Sequence, residues 1–306
     1  MPPGRAGIWH LTSRCVRREH LLESEASRAW VCAALGSWLD VLAIDVLAYA
    51  IMANHLHVVI RTRPDRAQGW DASEVRRRRY AASRVTDGRP LPLHQAELGQ
   101  ALAAGDLTRL RHELAHPGAM LRAVKEGFAR RINRATGAAG HVWEGRYHDV
   151  AIIDPGGVLA CLVYVELNPF RAGLVTDPAD SRFCSARHRL KYDPLAADAP
   201  LAQRLCRMQG HPLLDGTGHA LGSWGWDDAA VAELTAATAR TIRDPGHPLP
   251  AWADELMPRL GLERTAWTGC MAIGGTVSGN VLGAHASRRA IAGSRMASDK
   301  SGLFAE

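Results

Sequence analysis

The pattern of apolar and polar positions predicts alternating strands and helices in the N-terminal part of the chain. Loose alternation predicts a strand at residues 8–16, and apolar residues at helical spacing predict a helix at residues 24–39, with Ser24 as a suitable N-cap. A β-branched run at residues 41–52 and an alternating run at residues 55–61 predict two further strands, which a tight turn joins as a hairpin.

Farther along, apolar residues on one helical face predict a helix at residues 120–134, and a strand or hairpin is predicted at residues 141–153. Asp154 is a good N-cap for the next helix, which we expect to stop at Asn168 because proline follows. The order strand, helix, strand, strand, helix, strand, helix predicts an α+β fold. It is a ferredoxin-like core, in which helices cover one face of an antiparallel sheet.

Domain boundaries follow from changes in composition. We predict one domain at residues 1–195, with an insertion of weak periodicity at residues 63–117, and a smaller C-terminal region at residues 196–306 that ends in a disordered tail. The chain begins without an apolar signal core, has no run long enough to span a bilayer and has no CxxC pair among its 6 cysteines. We therefore expect a soluble cytoplasmic protein with reduced thiols.

The charge balance is basic and depends on arginine. The chain has 37 Lys and Arg against 31 Asp and Glu, and lysine occurs only at positions 125, 191 and 300. The planar guanidinium group suits phosphate, so the composition favours a nucleic-acid partner. A solvated basic surface is the alternative.

His55 and His57 are the first candidate site. Residues two apart in a strand point to the same face, so both imidazoles project together. Two adjacent imidazoles provide half of a divalent-metal site. The alternative is a pair of polar residues on an exposed strand face.

Tyr164 and Asn168 are the second candidate site, four residues apart on a predicted helix and hence on one face. A tyrosine hydroxyl is a nucleophile once it loses its proton or its target is polarised, and an amide oxygen is a ligand for Mg²⁺ or Mn²⁺. The alternative is a packed core tyrosine, with Asn168 capping the helix.

Together the two sites predict phosphoryl-transfer chemistry on a nucleic acid. A Mg²⁺ or Mn²⁺ ion held by His55, His57 and Asn168 would polarise a scissile phosphate, and Tyr164 would attack it and keep the 5′ phosphate. The covalent link conserves the bond energy, so rejoining to another 3′ hydroxyl needs no ATP.

Basic and aromatic residues near these sites are predicted to hold the DNA strand. Trp143 and Tyr147 could stack on unpaired bases, although a core position is the more usual place for such a tryptophan. The predicted DNA-binding residues are Arg122, Lys125, Arg130, Arg131, Arg146 and Arg171.

Four segments carry a resemblance to REP-associated tyrosine transposases of the insertion-sequence-200-like family. MANHLHVVI (residues 52–60) resembles the HUH motif of that family, and YVELNPFRAGLV (residues 164–175) is similar to its tyrosine-helix segment. HVWEGRYHD (residues 141–149) and WHLTSRCVRR (residues 9–18) resemble the segment before that helix and the first strand. The four segments occur in the family order.

The resemblance implies the HUH fold, a divalent metal and a single-stranded DNA substrate with hairpins. By motif position, His55 and His57 take the metal-ligand role, Tyr164 takes the nucleophile role and Asn168 takes the place of the third, polar ligand. Members of the family often form homodimers, in some cases by exchanging the tyrosine helix. Both the insertion and the C-terminal region depart from the compact members.

We therefore predict a DNA transposase, a single-strand endonuclease and strand transferase that forms a 5′-phosphotyrosine intermediate. Two alternatives remain: a domesticated, non-catalytic DNA- or RNA-binding regulator on the same fold, and a metal-dependent hydrolase that uses the histidine pair with water.

Overall fold

The structure is a computed structural model that describes residues 6–93, 102–152, 154–191 and 226–263, together with residues 267, 271, 281 and 282. The predicted disordered tail and the domain boundary predicted at residue 195 both lie outside the described residues.

A four-stranded antiparallel sheet, in the spatial order β2-β3-β1-β6, forms the centre of the fold. A short strand, β7, pairs parallel with β6, and β4 and β5 form a separate small hairpin. The strands are β1 (Gly7–Arg14), β2 (Ile44–Ile51), β3 (His55–Thr62), β4 (Val85–Thr86), β5 (Arg89–Pro90), β6 (His148–Ile152) and β7 (Val281–Leu282).

The helices include those predicted between the strands and several in the predicted insertion. The helices are α1 (Glu25–Trp38), α2 (Pro64–Gln68), α3 (Ala72–Ser83), α4 (Ala104–Leu114), α5 (Pro117–Thr136), α6 (Pro155–Glu166), α7 (Asn168–Arg171), α8 (Ser185–Leu190), α9 (Asp228–Arg243) and α10 (Ala251–Arg259). Two short 3-10 turns span Val16–Arg18 and Pro178–Asp180.

Helices cover both faces of the sheet, so the prediction of helices on one face alone is wrong. The crossover helices α1 and α5 pack on one face with Leu56, Val58 and Ile60, whereas α6 packs on the other face with Ile8 and Val59. The physical reason is that both faces of the strands carry apolar side chains, and each face needs a covering layer.

The helix termini follow the predicted caps, with one correction. Ser24 accepts a hydrogen bond from Ser27 N, and Asp154 accepts one from Gly157 N, which begins α6 as predicted. The predicted stop of α6 is confirmed, since the helix ends at Glu166, two residues before Asn168. The correction is that helical structure resumes at once: because proline is tolerated in the first turn of a helix, the short helix α7 begins at Asn168.

The C-terminal helix α9 packs against α6 in one apolar cluster. A buried polar network also joins the two helices: Glu166 Oε1 accepts hydrogen bonds from Ser185 Oγ at 2.7 Å and from Arg189 Nε at 2.8 Å. Arg189 pairs with Asp228 and donates to Leu47 O, while Thr235 contacts Glu166. These contacts anchor the end of α6 to the sheet and to α9.

Cys15, Cys32, Cys161 and Cys184 are buried free thiols, as predicted, whereas positions 206 and 270 lie outside the described residues. None of the helices within the described part of the chain is both long and apolar enough to cross a membrane.

Candidate active site

Three imidazoles gather on the sheet face that α6 covers. His55 and His57 project from β3, and His10 projects from the neighbouring strand β1. The His57 ring centroid lies 5.0 Å from that of His55 and 5.1 Å from that of His10. The face is not solvent-exposed: His10 and His57 are 4% and 7% exposed, which argues against two polar residues on an open strand.

Asn54 determines which nitrogen of His55 carries the proton. Asn54 Nδ2 donates to Arg18 O at 3.0 Å, so Asn54 Oδ1 faces the other way and accepts from His55 Nδ1 at 2.7 Å. His55 Nδ1 therefore carries the hydrogen, and Nε2 keeps its lone pair. This is the tautomer that a metal ligand requires.

His57 has one satisfied and one unsatisfied nitrogen. Its Nδ1 lies 2.9 Å from His10 Nε2, while its Nε2 is buried and has no hydrogen-bond partner in the part of the chain that the structure describes. A buried polar atom with no partner is costly and needs an explanation. A ligand at His57 Nε2 would supply one.

The three imidazoles are held neutral by their surroundings. Burial lowers the pKa of His10 to about 4. Burial, assisted by the charges of Arg14 and Arg171, also lowers the pKa of His55 to about 4. Burial places the pKa of His57 well below its ordinary value, and His10 and His55 contribute to that shift. Neutral imidazoles keep the lone pairs that metal ligation needs.

Tyr164 faces the imidazole cluster from α6. Its ring centroid lies 6.0 Å from that of His57 and 6.1 Å from that of His10, in edge-on arrangements. The Arg171 guanidinium carbon lies 4.5 Å from the Tyr164 ring centroid. Arg171 Nη1 is buried and has no hydrogen-bond partner within the described residues. A buried guanidinium nitrogen beside a tyrosine is suited to a phosphate oxygen.

Asn168 caps α6. Its Nδ2 donates to Tyr164 O at 3.0 Å and to Val165 O at 3.5 Å, so the amide nitrogen is engaged by the helix end. These two bonds leave Oδ1 as the atom with which Asn168 would ligate a cation. The capping role is thus present, and ligation by Asn168 stays a prediction.

The predicted DNA-binding residues separate into three groups. Arg171 lies at the tyrosine, as described above. Arg130 and Arg131 are exposed on α5, away from the imidazoles. The remaining three line a single cavity beside α5, and they are Arg122, Lys125 and Arg146.

Two of the predicted nucleic-acid contacts are core residues. Lys125 is only 7% exposed: its ammonium lies 5.6 Å from the Trp143 ring centroid and donates to Gly145 O at 2.6 Å. Trp143 is also buried, and its indole nitrogen donates to Lys125 O at 2.9 Å. Its place in the core agrees with the more usual position for such a tryptophan.

His10 and Asn54 were missed in the sequence. His10 shares a strand face with Ile8, but its contact with His57 depends on the register between β1 and β3. The sequence identifies Asn54 only as a turn residue, although its position directly before His55 is a signal for the contact.

The two imidazole Nε2 atoms of His55 and His57 fit a divalent cation as protein nitrogen ligands. His55 Nε2 and His57 Nε2 are both free of hydrogen bonds to described residues. Within the described part of the chain, no three His, Cys, Asp or Glu side chains are arranged to hold a metal ion. Imidazole is a softer ligand than the oxygens that Mg²⁺ prefers, so the set suits Mn²⁺ better than Mg²⁺.

Because the histidines are buried and neutral, we expect the folded protein to lose stability in mild acid. In the presence of a chelator, the unfolded chain binds protons below pH 6.5, whereas folded His10 binds one only near pH 4. The free energy of unfolding should therefore fall as the pH drops through this window, by up to about 1.4 kcal/mol per pH unit for one histidine. Urea midpoints should show the decline, and His10→Phe should make it shallower, while His55 and His57 maintain the remainder. An equally steep decline in His10→Phe would show that His10 is not responsible.

Comparison with known proteins adds little to this geometry. No family profile matches the chain, and no curated protein matches it. Among solved structures, the chain is similar to a REP-associated tyrosine transposase bound to a REP hairpin, with a TM-score of 0.39 and 16% sequence identity. The match covers 65% of this chain and 87% of that chain. It is a distant resemblance.

Proposed function

We propose that this protein is a DNA strand-cleaving and strand-joining enzyme, a transposase that works through a covalent bond between Tyr164 and a 5′ phosphate. The observation that carries the proposal is the position of the Tyr164 ring, 6.0 Å from the His57 ring and beneath the Arg171 guanidinium. A tyrosine that served only as core packing would need neither of the two buried nitrogens beside it, Arg171 Nη1 and His57 Nε2, which have no hydrogen-bond partner among the described residues.

The reaction would begin with attack by the Tyr164 oxygen on a scissile phosphate of a single DNA strand. A bond forms between that oxygen and phosphorus, and the bond from phosphorus to the 3′ oxygen breaks. One proton passes overall from the phenol to the departing 3′ oxygen. Attack by another 3′ hydroxyl on the phosphotyrosine reverses these steps and joins the strands.

Individual residues have separate roles in this scheme. Arg171 would bind a phosphate oxygen and hold it over the tyrosine. Asn54 and His10 would orient the rings of His55 and His57. A divalent cation, Mn²⁺ or Mg²⁺, held by His55 and His57 with Asn168 as a third ligand, would act as a Lewis acid toward the phosphate.

All of these groups belong to one chain, so the proposed site needs no residue from a second copy. A homodimer stays a prediction.

The proposal is tested by incubating the protein with end-labelled, hairpin-bearing single-stranded DNA and Mn²⁺, followed by a denaturing gel. We expect a slow band that survives boiling in detergent and disappears with protease. Cleavage without this band would favour the hydrolase. A shift on a native gel with neither cleavage nor adduct would favour the regulator.

Binding should depend strongly on salt and on the form of the DNA. Arg–phosphate contacts release counterions, so the logarithm of the affinity should fall linearly with the logarithm of the salt concentration. Hairpin or single-stranded DNA should outcompete a blunt duplex of the same length, because the attacked strand must be exposed. A competition assay in which the duplex wins would contradict the proposed substrate.

A further inference from the structure

A cavity lies between α5 and the segment at residues 140–147, on the sheet face that α5 covers. Its volume is about 460 Å³, within the range of pockets that hold small ligands. The cavity is lined by several residues, including Arg122, Lys125, Ala129, Trp143, Arg146 and Tyr147.

Backbone pairing connects this cavity to the histidine site. Glu144 N donates to Arg14 O at 3.0 Å, and Val16 N donates to Val142 O at 2.9 Å, so the cavity wall at residues 142–144 pairs antiparallel with the chain at the end of β1. Arg14 lies directly opposite His55 in the register of β1 and β3. A strand held at Tyr164 could therefore continue over this end of the sheet into the cavity.

The Lys125 ammonium in the cavity wall has unused hydrogen-bonding capacity. Lys125 is 7% exposed, and its Nζ donates to Gly145 O at 2.6 Å, which is its one side-chain hydrogen bond among the described residues. An ammonium group has three donors, so two remain for a ligand. Burial lowers the Lys125 pKa to about 8, which keeps most of the charge at neutral pH. A largely buried ammonium with spare donors calls for an acceptor in the cavity.

The remaining walls suit a flat aromatic ring that is attached to a sugar–phosphate backbone. Ala129 and buried Trp143 supply apolar surface, and half-buried Tyr147 supplies an aromatic ring. Arg122 and Arg146 are exposed, where they can contact phosphates. Apolar and aromatic walls with cationic groups around them are the features by which proteins hold unpaired bases.

We propose that this cavity binds one unpaired base of the DNA strand that Tyr164 cleaves, with Lys125 Nζ donating to acceptor atoms on the edge of the base. The inference rests on the proposed function and adds a specificity site to it. Guanine fits best, because its O6 and N7 are both acceptors, whereas adenine places an amino donor beside N7.

The test measures binding of a set of single-stranded oligonucleotides by fluorescence anisotropy, with a chelator present to prevent cleavage. Each oligonucleotide carries one abasic site at a different position around the cleavage point. We expect wild-type affinity to drop about ten-fold at one position, as loss of one held base requires, and little at its neighbours. Replacing guanine by adenine at that position should also weaken binding.

Two variants with matched controls connect that position to the cavity. Lys125→Met keeps the side-chain length and removes the donors, and Ala129→Phe fills the cavity from α5. Both should weaken binding of the intact strand and abolish the extra loss at the abasic position. The controls are Lys191→Met, at an exposed ion pair with Asp180, and Ala135→Phe, at an exposed position of α5. Both control variants should retain the extra loss of affinity at the abasic position.

Several results would overturn the inference. Uniform weakening of every oligonucleotide by Lys125→Met, without loss of the position-specific effect, would indicate a phosphate contact. A wild-type protein that forms the tyrosine adduct but has no abasic-sensitive position would refute the base pocket and leave the proposed function intact. Absence of both adduct and binding would refute the proposed function and the pocket with it.

Discussion

Tyr164→Phe is expected to abolish the covalent protein–DNA adduct and to reduce strand cleavage by on the order of a thousand-fold or more, as loss of a nucleophile does. The substitution removes only the hydroxyl. The aromatic ring keeps its contacts with His10, His57 and Arg171, so the fold and the DNA affinity should change little. The measurements are adduct yield, cleavage rate, DNA affinity and urea midpoint.

Tyr80→Phe is a suitable control for this experiment. Tyr80 lies on α3, and its hydroxyl accepts a hydrogen bond from Arg84 at 2.9 Å, away from the imidazoles. This control should retain the adduct at wild-type yield. Cleavage by Tyr164→Phe at the wild-type rate would exclude Tyr164 as the nucleophile and would favour hydrolysis by water.

His55→Ala and His57→Ala are expected to reduce cleavage to background while DNA binding persists. Each removes one of the two free Nε2 atoms proposed as metal ligands, whereas the phosphate contacts rest on arginine. Calorimetric titration with Mn²⁺ should show loss of binding in both variants, a result independent of catalysis. His20→Ala, at an exposed histidine outside the cluster, should bind Mn²⁺ normally.

The two histidine variants are compared because unfolding of a variant would also abolish cleavage. His57 is buried, so its replacement leaves a cavity, whereas His55 is only partly buried and should be replaced with less effect on stability. Asn168→Ala should have a milder effect on cleavage, because water can replace a neutral amide ligand. Unchanged Mn²⁺ affinity in stably folded His55→Ala would remove the metal from the proposed site.

Local sequence signals predicted the elements that present the candidate site. The alternating run around His55 predicted β3 and its hairpin with β2, and the cap at Asp154 predicted the start of α6. These features depend on neighbours in the chain, through the period of two in a strand and the hydrogen bonds of a helix terminus.

Contacts between residues that lie far apart in the chain could not be predicted from these local signals. The contact of His10 with His57 joins residues 47 apart and follows from strand register. The burial of Lys125 depends on the segment that carries Gly145, which folds over α5 from farther along the chain. The second covering layer on the sheet includes α9, which the change in composition had assigned to a separate region.

Identification of the residue that carries DNA in the wild-type protein tests the central claim most directly. After reaction with hairpin-bearing single-stranded DNA and Mn²⁺, the adduct would be digested with nuclease and protease, and the modified peptide sequenced by mass spectrometry. The account predicts a nucleotide linked through its 5′ phosphate to Tyr164. A nucleotide on any other residue, or cleaved DNA with no modified peptide, would contradict it.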